Sequence, residues 1–431
     1  MIPTADDRRF WNPVRLSDYG GTAHKIGELK LDLSDDDINQ PFDYKVTSGR
    51  CWHVVFSPDE SLFAWISSPR KVILVPWNRE KNCLDTAPSS NSQRDSNDPR
   101  QNGKRALITI ECGYPVVSVA FGSGTPETNL TKVSTKPYWT RFDFTKDIIL
   151  ATGHTNGRIR IWNTQTGKLM LELMDHKSAV RDLNFAPDGS LRLISASLDK
   201  TLKGWDLSDD GNMFKTFYAH QEVVFSCCWS PNANLMASAG SQKTVFVWDM
   251  TKYEILRKLE GHCHSVVSCS FSPDGAVLAT ASWDTQVILW DPYVGNRLYT
   301  LNHLNPLPNM IYASGANNAW VRGVSYAKNG MNVATISDDK LIRFWNLMGD
   351  VDPEGIAGED EETLSCCYSP SGRCVAVGTA KFKVSFYTTA LAVPRLNHLA
   401  RMAVRKRVLT LDVDRLEVPE SLKAYLKYEL W

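Results

Sequence analysis

The chain has 431 residues, 43% of them hydrophobic, and its 48 basic and 48 acidic side chains cancel to a formal charge of zero. That length accommodates two or three ordinary domains or one large repeat architecture, and the balanced charge supplies no global field to draw the protein to nucleic acid or an anionic membrane. The longest apolar runs, such as 71–76 and 245–248, are a handful of residues where a membrane helix needs about 20, so no membrane insertion is expected.

Residues 1–24 carry early acids and no apolar core segment, so they read as an extension and not as a secretory signal; the cytosol is the expected compartment, with the nucleus left open. Residues 25–33 alternate polar and apolar side chains, as a strand with one buried face does. From there a pattern recurs that ends at Trp77, Trp162, Trp205, Trp248, Trp290 and Trp345, with a degenerate seventh end at Tyr387. The successive spacings are 85, 43, 43, 42, 55 and 42, and a period of about 40 to 45 with four short strands per unit is the signature of a propeller blade. Within a unit, β-branched and aromatic runs are separated by tight turns, such as Ser-Pro-Asp-Gly at 272–275, Ala-Pro-Asp-Gly at 186–189 and Ser-Pro-Ser-Gly at 369–372. Proline presets φ and glycine accepts positive φ, so the chemistry of these turns is mechanical. Seven units supply three inner strands each, and six connections supply an outer strand. The seventh unit lacks one after Tyr387, and residues 25–33 are the candidate to close the ring.

Two long spacings contain insertions. Residues 78–105 have almost no large apolar side chain and read as a disordered loop. The insertion at 122–141 mixes Gly and Pro with Tyr138 and Trp139, and is expected to fold over a blade rim. A third, 302–319, brings Met310, Ile311 and Tyr312 just before Trp320; these four are the expected contacts for a protein target, with docking onto their own blade as the alternative.

The repeats resemble the WD-repeat family over roughly residues 45–390. That resemblance implies a hydrogen-bonded set in each blade, fitting best as His176, Ser197, Asp199 and Trp205, and as His262, Ser282, Asp284 and Trp290. Aspartate also stands six residues before Trp345, at Asp339, but the other four units have Asn156, Gln242, Lys71 or Lys381 there and are expected to rely on apolar packing. A trio of His, Ser and Asp invites a hydrolase reading, yet a trio repeated along the chain fastens turns to indoles and is architecture. No Gly-rich phosphate loop, nucleophile elbow or metal-ligand spacing is present, so no catalytic residue, cofactor or metal is expected. In His262-Cys263-His264 adjacent side chains point to opposite faces, and the ten cysteines lie mostly in apolar runs as reduced thiols.

After Tyr387 the period becomes helical. Behind Pro394, the side chains Leu396, Leu399, Ala400, Ala403 and Val404 share one face, and a second helix near Pro419 groups Leu422, Tyr425, Leu426 and Leu430. Helices this short cannot bury their apolar faces alone, so they must dock on the propeller, on each other or on a partner. These residues resemble a SOCS box: Leu396, Leu399 and Arg401 match its first element, with Arg395 and Ala400 departing from it. Leu416, Val418 and Pro419, followed by Leu422, Tyr425 and Leu426, match the second, with Glu417 in place of a proline.

A propeller over 25–390 followed by a SOCS box over 391–431 resembles the WD repeat and SOCS box-containing protein family. The expected fold is therefore an all-β, seven-bladed WD-repeat propeller with a small α-helical SOCS box. The resemblance implies a non-catalytic target receptor of a ubiquitin ligase. Leu396, Leu399, Ala400, Arg401 and Val404 would meet Elongin C, itself paired with Elongin B. Leu416, Val418, Pro419, Leu422, Tyr425 and Leu426 would meet Cullin-5 with its RING subunit. The competing expectation is a plain scaffold whose tail packs on the propeller.

Overall fold

Each aromatic-ended unit folds into one antiparallel sheet, because three runs of strand-forming residues are joined by turns too short for any other pairing. In a computed structural model, which describes residues 25–29, 53–78, 83–84, 107–124, 148–303, 320–348, 352–389 and 395–429, seven such sheets are present. The third is representative, with Val180–Phe185, Arg192–Ser197, Leu202–Asp206 and Asn212–Phe217 paired in that order. The Ser-Pro-Asp-Gly turn works as its composition dictates. Gly275 takes φ +72°, and its N–H donates to the Ser272 carbonyl at 2.8 Å. The Asp274 Oδ1 meanwhile accepts from the Ser272 hydroxyl at 2.6 Å.

The core lies between blades. Ala237, Val247 and Leu259 of the fourth blade meet Val266, Leu278 and Trp290 of the fifth, and comparable clusters join the other neighbours. A fully buried side chain of this kind contributes roughly 1.5–3 kcal/mol, so stability accrues at each junction, as in other repeat architectures. Most thiols share this packing: Cys227, Cys269 and Cys374 are buried, whereas Cys263 is exposed. Burial pushes the Cys112 thiol up to about 12.

The seventh sheet takes its outer strand from Lys25–Leu29, which runs antiparallel to Val384–Thr388 with Lys25 opposite Tyr387 and Leu29 opposite Val384. Residues 30–33 lie outside the described set. The first sheet gains its outer strand from Ile108–Glu111, and Cys83–Leu84 pairs with Trp77 and Asn78. The rest of the 79–106 stretch, residues 125–141 with Tyr138 and Trp139, and residues 304–319 are likewise outside the described residues.

Ring closure has its own polar fastening. The buried Glu359 carboxylate accepts from the Tyr387 hydroxyl and lies 3.4 Å from both Lys383 Nζ and the closing strand's Lys25 Nζ. Burial pushes the Glu359 pKa up, but the Tyr387 hydrogen bond and the two ammonium groups outweigh it and hold the carboxyl below its ordinary value. A carboxyl depressed in the folded state stabilises it above the unfolded pKa, about 4.3, and that contribution is lost as pH falls through the folded value. The stability difference between the native chain and Glu359→Gln, followed by denaturant unfolding, is therefore expected to be largest above about pH 5 and to shrink on acidification.

The intrablade networks depart from the sequence expectation in one atom. His176 Nδ1 meets Asp199 at 2.7 Å, but its Nε2 meets Ser195 Oγ at 2.7 Å, and the Trp205 indole donates to that same oxygen at 2.9 Å. The hydroxyl is Ser195, not Ser197. Likewise Thr280, not Ser282, joins His262 at 2.7 Å to Trp290 at 2.8 Å, while His262 holds Asp284 at 2.7 Å. Ser197 and Ser282 stand two residues further on, at the strand ends, where they donate to the Ser178 and His264 carbonyls. Ser195 and Thr280 are fully buried, which denies a nucleophile any substrate.

The network is also more widespread than the aspartates suggest. His154 with Thr152 and Trp162, His220 with Ser238 and Trp248, and His303 with Thr335 and Trp345 make the same histidine–hydroxyl–indole chain at 2.8–2.9 Å. Among the described residues no aspartate closes these three; Asp339 instead pairs with Arg343 at 2.6 Å. Burial lowers the His154 and His220 pKa values to about 4, so both are neutral at pH 7. In the first blade Trp77 packs among aromatic rings, 5.1 Å from both Phe56 and Phe386.

Candidate functional site

Two regions of the molecule present side chains that the propeller itself does not use. The first is the tail, which forms three helices: α1 (Leu396–Arg405), α2 (Thr410–Val413) and α3 (Glu420–Leu426). Pro419 sits at the α3 N-cap, as its fixed φ favours, and α2 arises in the segment between the two helices expected from sequence.

Helix α1 buries the face that composition would leave in water. His398, Arg401, Met402 and Arg405 point inward, whereas Leu396 is 82% exposed, Leu399 46% exposed, and Ala400 and Ala403 are exposed beside them. The inversion has a physical cause. Arg401, 1% exposed, places its guanidinium 4.3 Å from the Tyr425 ring and 3.9 Å from the Tyr428 ring, where the π faces attract it. His398 Nε2 lies 3.0 Å from the Asn329 carbonyl of the sixth blade, and Arg405 donates to Thr410 Oγ1 at 2.5 Å and to the Val408 carbonyl at 3.1 Å. Burial, with the neighbouring Arg401 charge adding to it, lowers the His398 pKa.

The matched tail residues therefore divide. Leu396, Leu399 and Ala400 lie on the open face with Val404 partly covered at its edge, whereas Arg401, grouped with them in the sequence reading, is turned inward and buried. Pro419 and Leu422 are exposed, and Leu416 and Val418 are half-buried. Tyr425 is half-buried and its ring packs on Arg401, and Leu426 is buried.

The second region is a mouth of the central channel, a cavity of about 1210 Å³ enclosed by the inner strands. At the end where those strands begin, Trp283 and Trp320 stack at 5.2 Å with their planes 17° apart, and His264 lies against both. Arg322 covers the two indoles at 5.3 and 5.7 Å and pairs with Asp338 at 2.6 Å. Phe225, 5.8 Å from Trp283, extends the aromatic arc toward Arg181. Trp320 thus lies in a half-buried aromatic platform; Met310, Ile311 and Tyr312 lie outside the described residues. Trp283 and Arg322 were not singled out from the sequence, because nothing in one chain marks a residue preceding Asp284 or opening a strand as facing the channel. His264 and His262, two residues apart in sequence, serve the platform and the blade network separately.

The architecture has close counterparts. The WD domain, G-beta repeat model matches residues 167–206, 211–249, 253–291 and 309–346, and the SOCS box model matches 392–427. WD repeat and SOCS box-containing protein 1 of Mus musculus is 46% identical over 416 residues, covering 94% of this chain and 96% of that protein. The chain belongs to the WD repeat and SOCS box-containing protein family. Its counterparts in Homo sapiens and Xenopus tropicalis are 46% and 45% identical, each again covering 94% of this chain and 96% of their own length. Membership accounts for a propeller and a helical tail on one chain, and it gives the exposed leucine face of α1 a meaning: this face belongs to a SOCS box.

Proposed function

We propose that this chain selects targets for a cullin–RING ubiquitin ligase, holding a protein on the propeller and recruiting Elongin C, with Elongin B, through the tail. The observation that carries the reading is the inverted burial of α1. A helix that hides a histidine and two arginines while leaving Leu396 and Leu399 in water keeps its apolar face for another molecule. Leu396, Leu399, Ala400 and Val404 make the Elongin contact, and Leu416, Val418, Pro419 and Leu422 offer the edge that meets Cullin-5 with its RING subunit. Ubiquitin transfer belongs to the recruited RING subunit and its ubiquitin-charged partner; this chain supplies proximity.

The tail does pack on the propeller, as a plain scaffold would have it, yet that packing takes the His398–Met402 face of α1 and leaves Leu396 and Leu399 outside it, so docking and recruitment coexist. Purified chain mixed with Elongin B–C is expected to co-elute as one complex and then to bind the Cullin-5–RING pair. Failure to form the first complex would leave the scaffold reading in place. The target is held at the aromatic platform, where Trp283, Trp320 and Arg322 combine the side chains favoured at interface centres. Trp320→Ala is expected to lose client proteins captured under proteasome inhibition while retaining Elongin B–C. Unchanged client recovery would move the target site elsewhere.

A further inference from the structure

The tail's three helices of ten, four and seven residues are too short to hold themselves in place, so their position is set by what they touch. Tyr428 is 2% exposed and packs among Ala276, Val277, Tyr326 and Leu347, at the junction of the fifth and sixth blades. Its hydroxyl donates to Asp274 Oδ2, in the turn that ends the fifth blade's inner strand. The other oxygen of Asp274 is already engaged by the Ser272 hydroxyl and the Ala276 N–H, so the blade turn fixes the direction in which the carboxylate faces Tyr428.

The next blade's turn holds α1. His398 reaches the Asn329 carbonyl, and Met402 lies so close to Gly330 that a Cβ there would stand 3.0 Å from the thioether sulfur. Arg401 joins the two attachments, stacked on Tyr428, 2.9 Å from His398 Nδ1 and 3.4 Å from Met348 Sδ. Attachments on successive blades resist rotation as well as separation. A swinging, tethered module would gain nothing by burying a guanidinium, whose desolvation is offset only while the rings and acceptors around it stay in place. Asn329 follows the inner strand Val321–Tyr326, near whose start Arg322 lies, so the tail sits at the end of the channel opposite the aromatic platform.

We propose that Tyr428, Asp274 and Arg401 form a fixed joint that sets the direction of the leucine face of α1 relative to the platform, making them positioning residues for ubiquitin transfer. The transfer role rests on the ligase reading above; the joint itself does not. With bio-orthogonal spin labels at positions 215 and 407 of the full chain, the native protein is expected to give one narrow distance distribution. Tyr428→Ala is expected to broaden it about twofold or more, and Tyr428→Phe, which keeps the ring on Arg401, to raise amide exchange in α1 and α3 about tenfold with less broadening. In a ligase reconstituted with Elongin B–C, Tyr428→Ala is expected to spread ubiquitin over more of the chain's own lysines. Elongin B–C capture would stay within about twofold, because the leucine face is untouched.

A broad distribution in the native chain overturns the joint. So does a Tyr428→Ala protein with native width and native lysine pattern. If Tyr428→Ala unfolds the tail, Tyr428→Phe and Met348→Ala decide by the same two readouts. A narrow native distribution in a chain that binds no Elongin B–C sinks the ligase reading and the transfer role, and leaves the joint as architecture.

Discussion

The double substitution Leu396→Asp, Leu399→Asp is expected to weaken capture of Elongin B–C at least about a hundredfold while leaving the unfolding transition unchanged. Leu396 stands in water and Leu399 is half-exposed in the free chain, so folding loses little when they become charged. Binding loses on two counts. Leu396 forfeits most, and Leu399 about half, of the roughly 1.5–3 kcal/mol that full burial of a leucine contributes, and each carboxylate must be stripped of water without a partner. At about 1.4 kcal/mol per factor of ten, burial and desolvation together exceed a hundredfold. The contrast is Arg401→Glu, which puts a carboxylate against the rings of Tyr425 and Tyr428 and is expected to disrupt the tail itself. Helicity and thermal unfolding separate the two classes. Undiminished capture by the double variant would remove the leucine face from the recruitment site.

The tail also marks where sequence reasoning reached its limit. The helical period placed Leu396, Leu399, Ala400 and Val404 on one face correctly, because periodicity depends only on the 3.6-residue turn. It could not tell which face would be buried. Apolar faces are ordinarily the ones that dock, and the partners that reverse this preference lie far away in the chain: Asp274 in the fifth blade, Asn329 in the sixth, and Tyr428 beyond the last helix. Arg401 consequently matched a motif whose role here is internal. The aromatic platform was half legible. Trp320 stood out as a large side chain after an apolar insertion, whereas Trp283 and Arg322 acquire meaning only when the ring brings their blades together.

The propeller was more readable, since the strands and turns of each blade are encoded locally, in a pattern whose regular period is about 40 to 45 residues, and each unit repeats the same test. What escaped was the hydrogen-bonded interior. Histidines at 154, 220 and 303 join networks without an aspartate to announce them, and His154 does so from a strand instead of from the preceding connection. Glu359 and Tyr387 replace histidine and tryptophan in the seventh blade, a change of chemistry that preserves the fastening and that no pattern search for the usual residues would find.

The choice between neighbouring hydroxyls gives the sharpest test of that interior. Residues 280 and 282 point to the same face of the strand Leu278–Ser282, so alternation alone cannot separate them. Register does: Trp290 lies opposite Leu278, and its indole leans along the strand to Thr280, whereas Ser282 sits beyond it opposite Val266. Thr280→Val keeps the shape and removes one oxygen that serves both His262 and Trp290. Two buried polar groups then lack a partner, at about 1–3 kcal/mol each, so a loss of roughly 2–6 kcal/mol is expected in denaturant unfolding. Ser282→Ala removes a hydroxyl that bonds the His264 carbonyl and the Asp284 N–H, and is expected to cost about 1 kcal/mol. Thr280→Ser, which retains the oxygen, should fall near the native value. If Ser282→Ala proved the more damaging of the two, the assignment of Thr280 as the link would fail, and with it the same assignment of Ser195 in the third blade.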